Sequence, residues 1–221
     1  MDIETLFTEQ KWNILNLLSQ ENLSPLQISL KSNTTMANIS QQLRLLEASS
    51  LVAKTKMPNR DKGKPRTVFH LTKDIGYLIN IRNGFAGKKL FDLDQHHKSI
   101  MSIWFINDIN LHYYLEKWLW KIESYLPSIS AILFKQSAVS DQKINILIIS
   151  NKPELKKRMG TIEIEKPSSQ SFKVNCDFLD CTSFKASLSS AKGDFADMSD
   201  YLVLYDSNNI VSNELRNKKT I

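Results

Sequence analysis

The stretch Ser24-Pro25-Leu26-Gln27-Ile28-Ser29-Leu30-Lys31-Ser32-Asn33-Thr34-Thr35-Met36-Ala37-Asn38-Ile39-Ser40-Gln41-Gln42-Leu43-Arg44-Leu45-Leu46-Glu47-Ala48 decides the fold of the N-terminal part. Serine suits a helix N-cap, where its oxygen accepts a free amide, and proline suits the first helical position, where no donor is needed. A helix therefore opens at Ser24-Pro25, runs through Leu26, Ile28 and Leu30, and stops near Ser32-Asn33. Thr34 or Thr35 caps the next helix. In it Met36, Ile39, Leu43 and Leu46 recur at helical steps and share an inward face. Upstream, Leu6, Ile14, Leu15, Leu17 and Leu18 predict an amphipathic helix over residues 3–19. Three short helices with a tight break between the second and third form a helix-turn-helix arrangement.

With its apolar face inward, the third helix points Ala37, Gln41, Arg44 and Ala48 the other way, with Asn38, Ser40 and Leu45 on the flanks. Small residues at 37 and 48 permit close approach to a groove. Asn and Gln pair bidentately with adenine, and Arg pairs with guanine or a phosphate. Downstream, Leu51-Val52-Ala53-Lys54 reads as a strand, residues 57–65 as a turn, and Thr67-Val68-Phe69-His70-Leu71 as the returning strand. Lys54, Lys56, Arg60, Lys62, Lys64 and Arg66 face only Asp61 in this hairpin, so nearly all of the chain's net +6 sits here. Such localised basicity is the footprint of a phosphate-binding surface.

Class exclusions follow from composition. The 221 residues are 42% hydrophobic and 24% charged, an ordinary globular balance. No run approaches the roughly 18 apolar residues that span a bilayer. The start, MDIETLFTEQ, is acidic where a secretory signal is basic and apolar. Two cysteines, Cys176 and Cys181, cannot staple a chain of this length, so a reducing cytoplasm is the expected compartment.

Taken in order, the residues from Ser24 to Ala48, then Leu51-Val52, the basic turn and Phe69-His70-Leu71-Thr72 resemble the winged helix-turn-helix of ArsR- and MarR-type prokaryotic regulators. Ser50 stands where that pattern has glycine, and Phe69 where tyrosine is common. The resemblance covers about a third of the chain. It implies duplex DNA as partner, a two-fold homodimer, and the third helix in the major groove. Asn38, Gln41 and Arg44 are the candidate base contacts, Ser40 and Thr35 phosphate contacts, and Arg60, Lys62, Lys64 and Arg66 wing-to-backbone contacts.

Residues 73–93 contain Gly76, Gly84 and Gly87 with little periodicity and read as a connection. Helical spacing returns over 95–106 and 110–125, with Trp104, Trp118 and Trp120 packing either within the second domain or between subunits. Adjacent His96 and His97 point about 100° apart on a helix and do not chelate as an i, i+4 pair would. Strands follow at 131–134, 144–149, 172–179 and 201–205. A short helix starts at Pro153-Glu154-Leu155, and another is capped by Thr182 or Ser183. The expected class is α+β: a winged helix-turn-helix (1–75), a helical connector (76–126) and a small mixed α/β sheet domain (127–221).

The order of helix, Ala131-Ile132-Leu133-Phe134, a nine-residue interval and Ile144-Asn145-Ile146-Leu147-Ile148-Ile149 resembles the minimal nucleotidyltransferase domain of the polymerase-beta superfamily. That family follows its first strand with Gly-Ser and opens its second with Asp-x-Asp, whose carboxylates hold two magnesium ions. Here Lys135-Gln136 replaces Gly-Ser, and Lys143-Ile144-Asn145 replaces Asp-x-Asp. The third carboxylate falls near Asn175, give or take one or two residues. A lysine beside two dications repels them by roughly 4 kcal/mol per unit charge at 4 Å. The resemblance therefore implies a scaffold without its catalytic charge: no cofactor, no metal, no nucleotidyl transfer. Dimerisation, sensing of a small-molecule or protein effector, and partner binding remain as its roles. The competing expectation is an active nucleotidyltransferase, an antitoxin-like modifier with an auxiliary DNA-binding part.

Overall fold

A computed structural model describes residues 7–58, 65–139, 142–167, 171–189 and 198–213. The chain is α+β and divides into two units, Met1–Asp92 and Leu93–Ile221.

In the first unit, α1 (Glu9–Gln20), α2 (Pro25–Lys31) and α3 (Met36–Ala48) precede β1 (Val52–Met57) and β2 (Arg66–Leu71). Ser24 opens α2 with a capping box. Its hydroxyl accepts from the Gln27 amide at 3.4 Å, and its own amide donates to Gln27 Oε1 at 2.9 Å. Thr35, not Thr34, caps α3, accepting from the Asn38 amide at 3.3 Å. Between the helices Asn33 takes the left-handed φ of 49° that asparagine tolerates. The core gathers Ile14, Leu18, Leu23, Ile28, Ile39, Leu43, Leu46, Leu51, Val52 and Phe69, each contributing about 1.5–3 kcal/mol on full burial.

Three sequence expectations are corrected here. Helix α1 opens at Glu9, with Phe7 ahead of it stacked on Tyr77, 5.4 Å between ring centroids, while Leu6 and the rest of residues 1–6 lie outside the described residues. Met36 is half exposed, since the first residue of α3 lies beyond the reach of the core that buries Ile39, Leu43 and Leu46. Residues 73–93 are not a plain connection: they fold into β3 (Ile75–Arg82) and β4 (Phe85–Asp92), paired antiparallel about Asn83-Gly84. Gly84 supplies the turn's φ of +79°.

Strands β1 and β2 pair from Val52–Leu71 to Met57–Arg66. Leu23 adds a one-residue bridge to β2, donating to Phe69 O at 3.1 Å and accepting from its amide at 2.8 Å. The link between α1 and α2 is thereby tied to the hairpin that follows α3. Sequence periodicity gives no sign of such a single-residue pairing.

The second unit contains α4 (Gln95–Trp104), α5 (Ile109–Ile122), β5 (Ala131–Lys135), β6 (Lys143–Ile149), α6 (Glu154–Met159), β7 (Thr161–Glu165), β8 (Ser171–Leu179), α7 (Cys181–Ser189) and β9 (Tyr201–Asp206). Its sheet runs β7-β8-β6-β5-β9, with only β6 and β8 parallel. Alternation along β5 and β6 sends side chains to two cores. Ile132, Phe134, Ile144, Ile146 and Ile148 pack with α4 and α5, while Ala131, Leu133, Leu147 and Ile149 pack with Phe184 and Leu188 of α7. Helices thus cover both faces. Trp118 is fully buried in the first core, whereas Trp104 and Trp120 stand about half exposed. Asp180, not Thr182 or Ser183, caps α7, accepting from the Ser183 amide at 2.8 Å.

Candidate nucleic-acid interface

The outer face of α3 is set by the burial of its inner one. Ile39, Leu43 and Leu46 are sequestered, so Ala37, Gln41, Arg44 and Ala48 are exposed along the opposite side. No side chain larger than alanine stands at either end of this stripe. Among the described residues no ion pair engages Arg44, and its guanidinium keeps five donors for an acceptor outside the helix.

The flanking candidates differ from one another. Asn38 is part-buried and already employed: its amide donates to Thr34 Oγ1 at 3.2 Å and Gln10 Oε1 at 3.5 Å, and its oxygen accepts from Gln42 at 3.3 Å. A base contact by Asn38 would first break this network. Thr35 is exposed, and although its oxygen caps the helix, its hydroxyl proton still has a direction outward. Ser40 is half-buried on the flank.

In the hairpin after α3, Lys54 is held to Glu47 at 3.0 Å, an exposed pair of little energetic weight. Lys56 and Arg66 are exposed at the distal end, with no ion pair among the described residues. Arg60, Lys62 and Lys64 lie outside the described residues. Residues 1–92 hold 13 basic and 8 acidic side chains, a net of +5, which leaves +1 for the rest of the chain.

A second polar cluster spans the paired strands β6 and β8. On β6 and β8, Lys143 lies opposite Lys173, and Asn145 opposite Asn175. Asn175 Nδ2 donates to Asn145 Oδ1 at 3.2 Å, and Thr161 Oγ1 donates to Asn175 Oδ1 at 3.2 Å. This ladder is neutral and flanked by two exposed lysines. After β5, Ser137 donates from its amide (2.9 Å) and its hydroxyl to the Asp200 carboxylate, in a short turn that starts at Gln136.

His97 pairs with Asp94 at 2.8 Å, and Asp94 caps α4. The His97 amide that donates to Asp94 holds this carboxyl below its ordinary range, helped by the neighbouring imidazoles. Among the described residues no group of three or more His, Cys, Asp or Glu side chains is placed to hold a metal ion. Nor is any helix among them long and apolar enough to cross a membrane.

No protein-family model matches the chain, and comparison with curated proteins gives no match.

Proposed function

We propose that this chain is a cytoplasmic, DNA-binding transcriptional regulator. In this reading its first unit is a winged helix-turn-helix of the ArsR/MarR type. Helix α3 seats in the major groove, and the β1–β2 hairpin grips the phosphate backbone beside it. The single observation that carries the reading is the bare α3 stripe of Ala37, Gln41, Arg44 and Ala48, immediately ahead of the strongly basic hairpin.

The second unit is a nucleotidyltransferase-like scaffold that has lost its chemistry and serves dimerisation, sensing or partner binding. The amide ladder of Asn145 and Asn175 beside Lys143 and Lys173 supports this. Neutral amides do not neutralise two dications, and the lysines repel them. A homodimer presents two α3 helices to half-sites about one helical turn apart.

A salt titration of duplex binding by the full chain tests the first part. Affinity should fall linearly on logarithmic axes as salt rises. Incubation with magnesium and labelled nucleotide tests the second. Label transferred to protein or nucleotide would overturn the non-catalytic reading.

A further inference from the structure

The β3–β4 hairpin projects bare on both faces. From Leu78 to Lys89 every residue except Gly87 is exposed, with Ile81 at 79%, Ile79 at 58% and Phe85 at 49%. A lone two-stranded ribbon is marginal in water, so its retention in this form points to something it contacts. Its root is fixed: Tyr77 stacks on Phe7, Ile75 packs on the first core, and Lys73 holds Asp92 at 2.6 Å.

The distal half is all cation and no acid. Between Gly76 and Phe91 stand Arg82, Lys88 and Lys89 and no aspartate or glutamate. Opposed positions share a face, so Arg82, Phe85, Asn80, Gly87 and Lys89 lie on one side. There the Arg82 guanidinium sits 5.3 Å over the Phe85 ring. The ring in turn lies across Gly87, where an added Cβ would come within 2.9 Å of Phe85 Cζ. Glycine at 87 therefore makes room for the aromatic that holds the arginine. A fork pre-set on a ring loses less freedom on binding than a free side chain does.

We infer that the β3–β4 ribbon is a second duplex-DNA contact. Arg82 and Lys89 meet the phosphates that flank a groove, and exposed Phe85, on the same face, lies against the sugars. The inference rests on the reading of the first unit as duplex-binding. The charge favours DNA over a second copy of the chain, because two such ribbons repel each other. A groove admits a two-stranded ribbon, and apolar side chains are common where such elements meet base steps.

The test is fluorescence anisotropy of the full chain on a labelled mixed-sequence duplex, across salt concentrations. The parent is compared with an Arg82→Ala, Lys89→Ala double variant and with Arg44→Ala. Phosphatidylglycerol vesicles serve as the membrane arm. The double variant should lose roughly tenfold or more in affinity at about 0.1 M salt and lower the salt slope by about two. Arg82→Lys should keep the slope, since it keeps the charge. If the double variant unfolds, Lys89→Gln alone, an exposed position, should lower the slope by about one. Parental affinity and slope in the double variant, with Arg44→Ala weakened, would overturn the ribbon contact and leave the α3 reading intact. Absence of any DNA binding by the parent would remove both. Loss of vesicle binding without loss of DNA binding would assign the ribbon to a membrane surface and overturn the inference.

Discussion

Asn175 donates its side-chain amide to Asn145 at 3.2 Å, at directly opposed positions of the parallel pair β6–β8. Two carboxylates held about 3 Å apart at these positions would need a metal or a shared proton. In this chain the pair is neutral, and Asn175 Oδ1 also accepts from the Thr161 hydroxyl. Converting both residues to aspartate should destabilise the protein by about 1–3 kcal/mol at pH 7 without divalent ions. The like-charge pair raises one carboxyl's pKa in the folded state, so the penalty is present at neutral pH and fades as acid protonates that group. Urea melts at pH 7 and pH 5, with and without magnesium, check this. Equal destabilisation at both pH values would contradict it.

Ser50 has a φ of +58°, the left-handed region in which a side chain costs roughly 1–2 kcal/mol. It closes α3 into β1, its amide donating to Glu47 O at 2.9 Å and its carbonyl accepting from the Thr72 hydroxyl. Ser50→Gly should therefore stabilise the first unit by about 0.5–1 kcal/mol, the strain relief exceeding the added chain entropy. A raised denaturation midpoint supports this, and a lowered one contradicts it.

Helices α2 and α3 depend on their caps. Ser24→Ala removes the reciprocal box with Gln27, and Thr35→Ala removes the acceptor for the Asn38 amide. Each should cost about 1 kcal/mol, with the Thr35 change falling on the same helix that carries Arg44. Circular dichroism during urea unfolding measures both losses.

These caps, the alternating strands of the second sheet and the basic hairpin were legible in the sequence because each is a local signal. The β3–β4 ribbon was not, although Asn83-Gly84 lies between strands in which Ile75, Tyr77, Ile79 and Ile81 alternate. Three glycines made the segment look like a connection. Of these, Gly84 serves the turn and Gly87 the packing of Phe85. The edge strand β7, Thr161–Glu165, was also missed, being five residues long and mostly exposed. Along α3 the wheel gave the exposed stripe but not the employment of Asn38. Its partners Thr34, Gln10 and Gln42 come from a turn and a neighbouring helix as well as from its own. Spacing along one helix does not report bonds of that kind.

Asp180 holds the start of α7 through the Ser183 amide and hydroxyl and the Thr182 hydroxyl, and these bonds pull its pKa far below the ordinary carboxylate range. A depressed folded pKa gives stability that is present above the unfolded value near 4 and lost as pH falls towards the folded one. Asp180→Asn should therefore flatten the dependence of stability on pH between about 4 and 2, as followed by thermal melts. An unchanged profile would contradict the cap.

Burial pushes the Cys176 thiol up to about 12, whereas Cys181 is partly exposed at the start of α7. The thiolate is the reacting form, so iodoacetamide at pH 8 should alkylate Cys181 in the native protein and spare Cys176 until denaturant is added. Peptide mass mapping separates the two. Equal native labelling would contradict the placement of β8 in the core.

In the proposed function α3 reads duplex sequence through Arg44. The most direct measurement selects a preferred duplex from a random pool with the full chain, then compares its affinity with that of a scrambled duplex for the parent and for Arg44→Ala and Arg66→Ala. Arg44→Ala should weaken the preferred site by about 1–3 kcal/mol and shrink the preference, while Arg66→Ala should weaken both duplexes alike. Equal losses on every sequence from both substitutions, or no duplex preference in the parent, would contradict it.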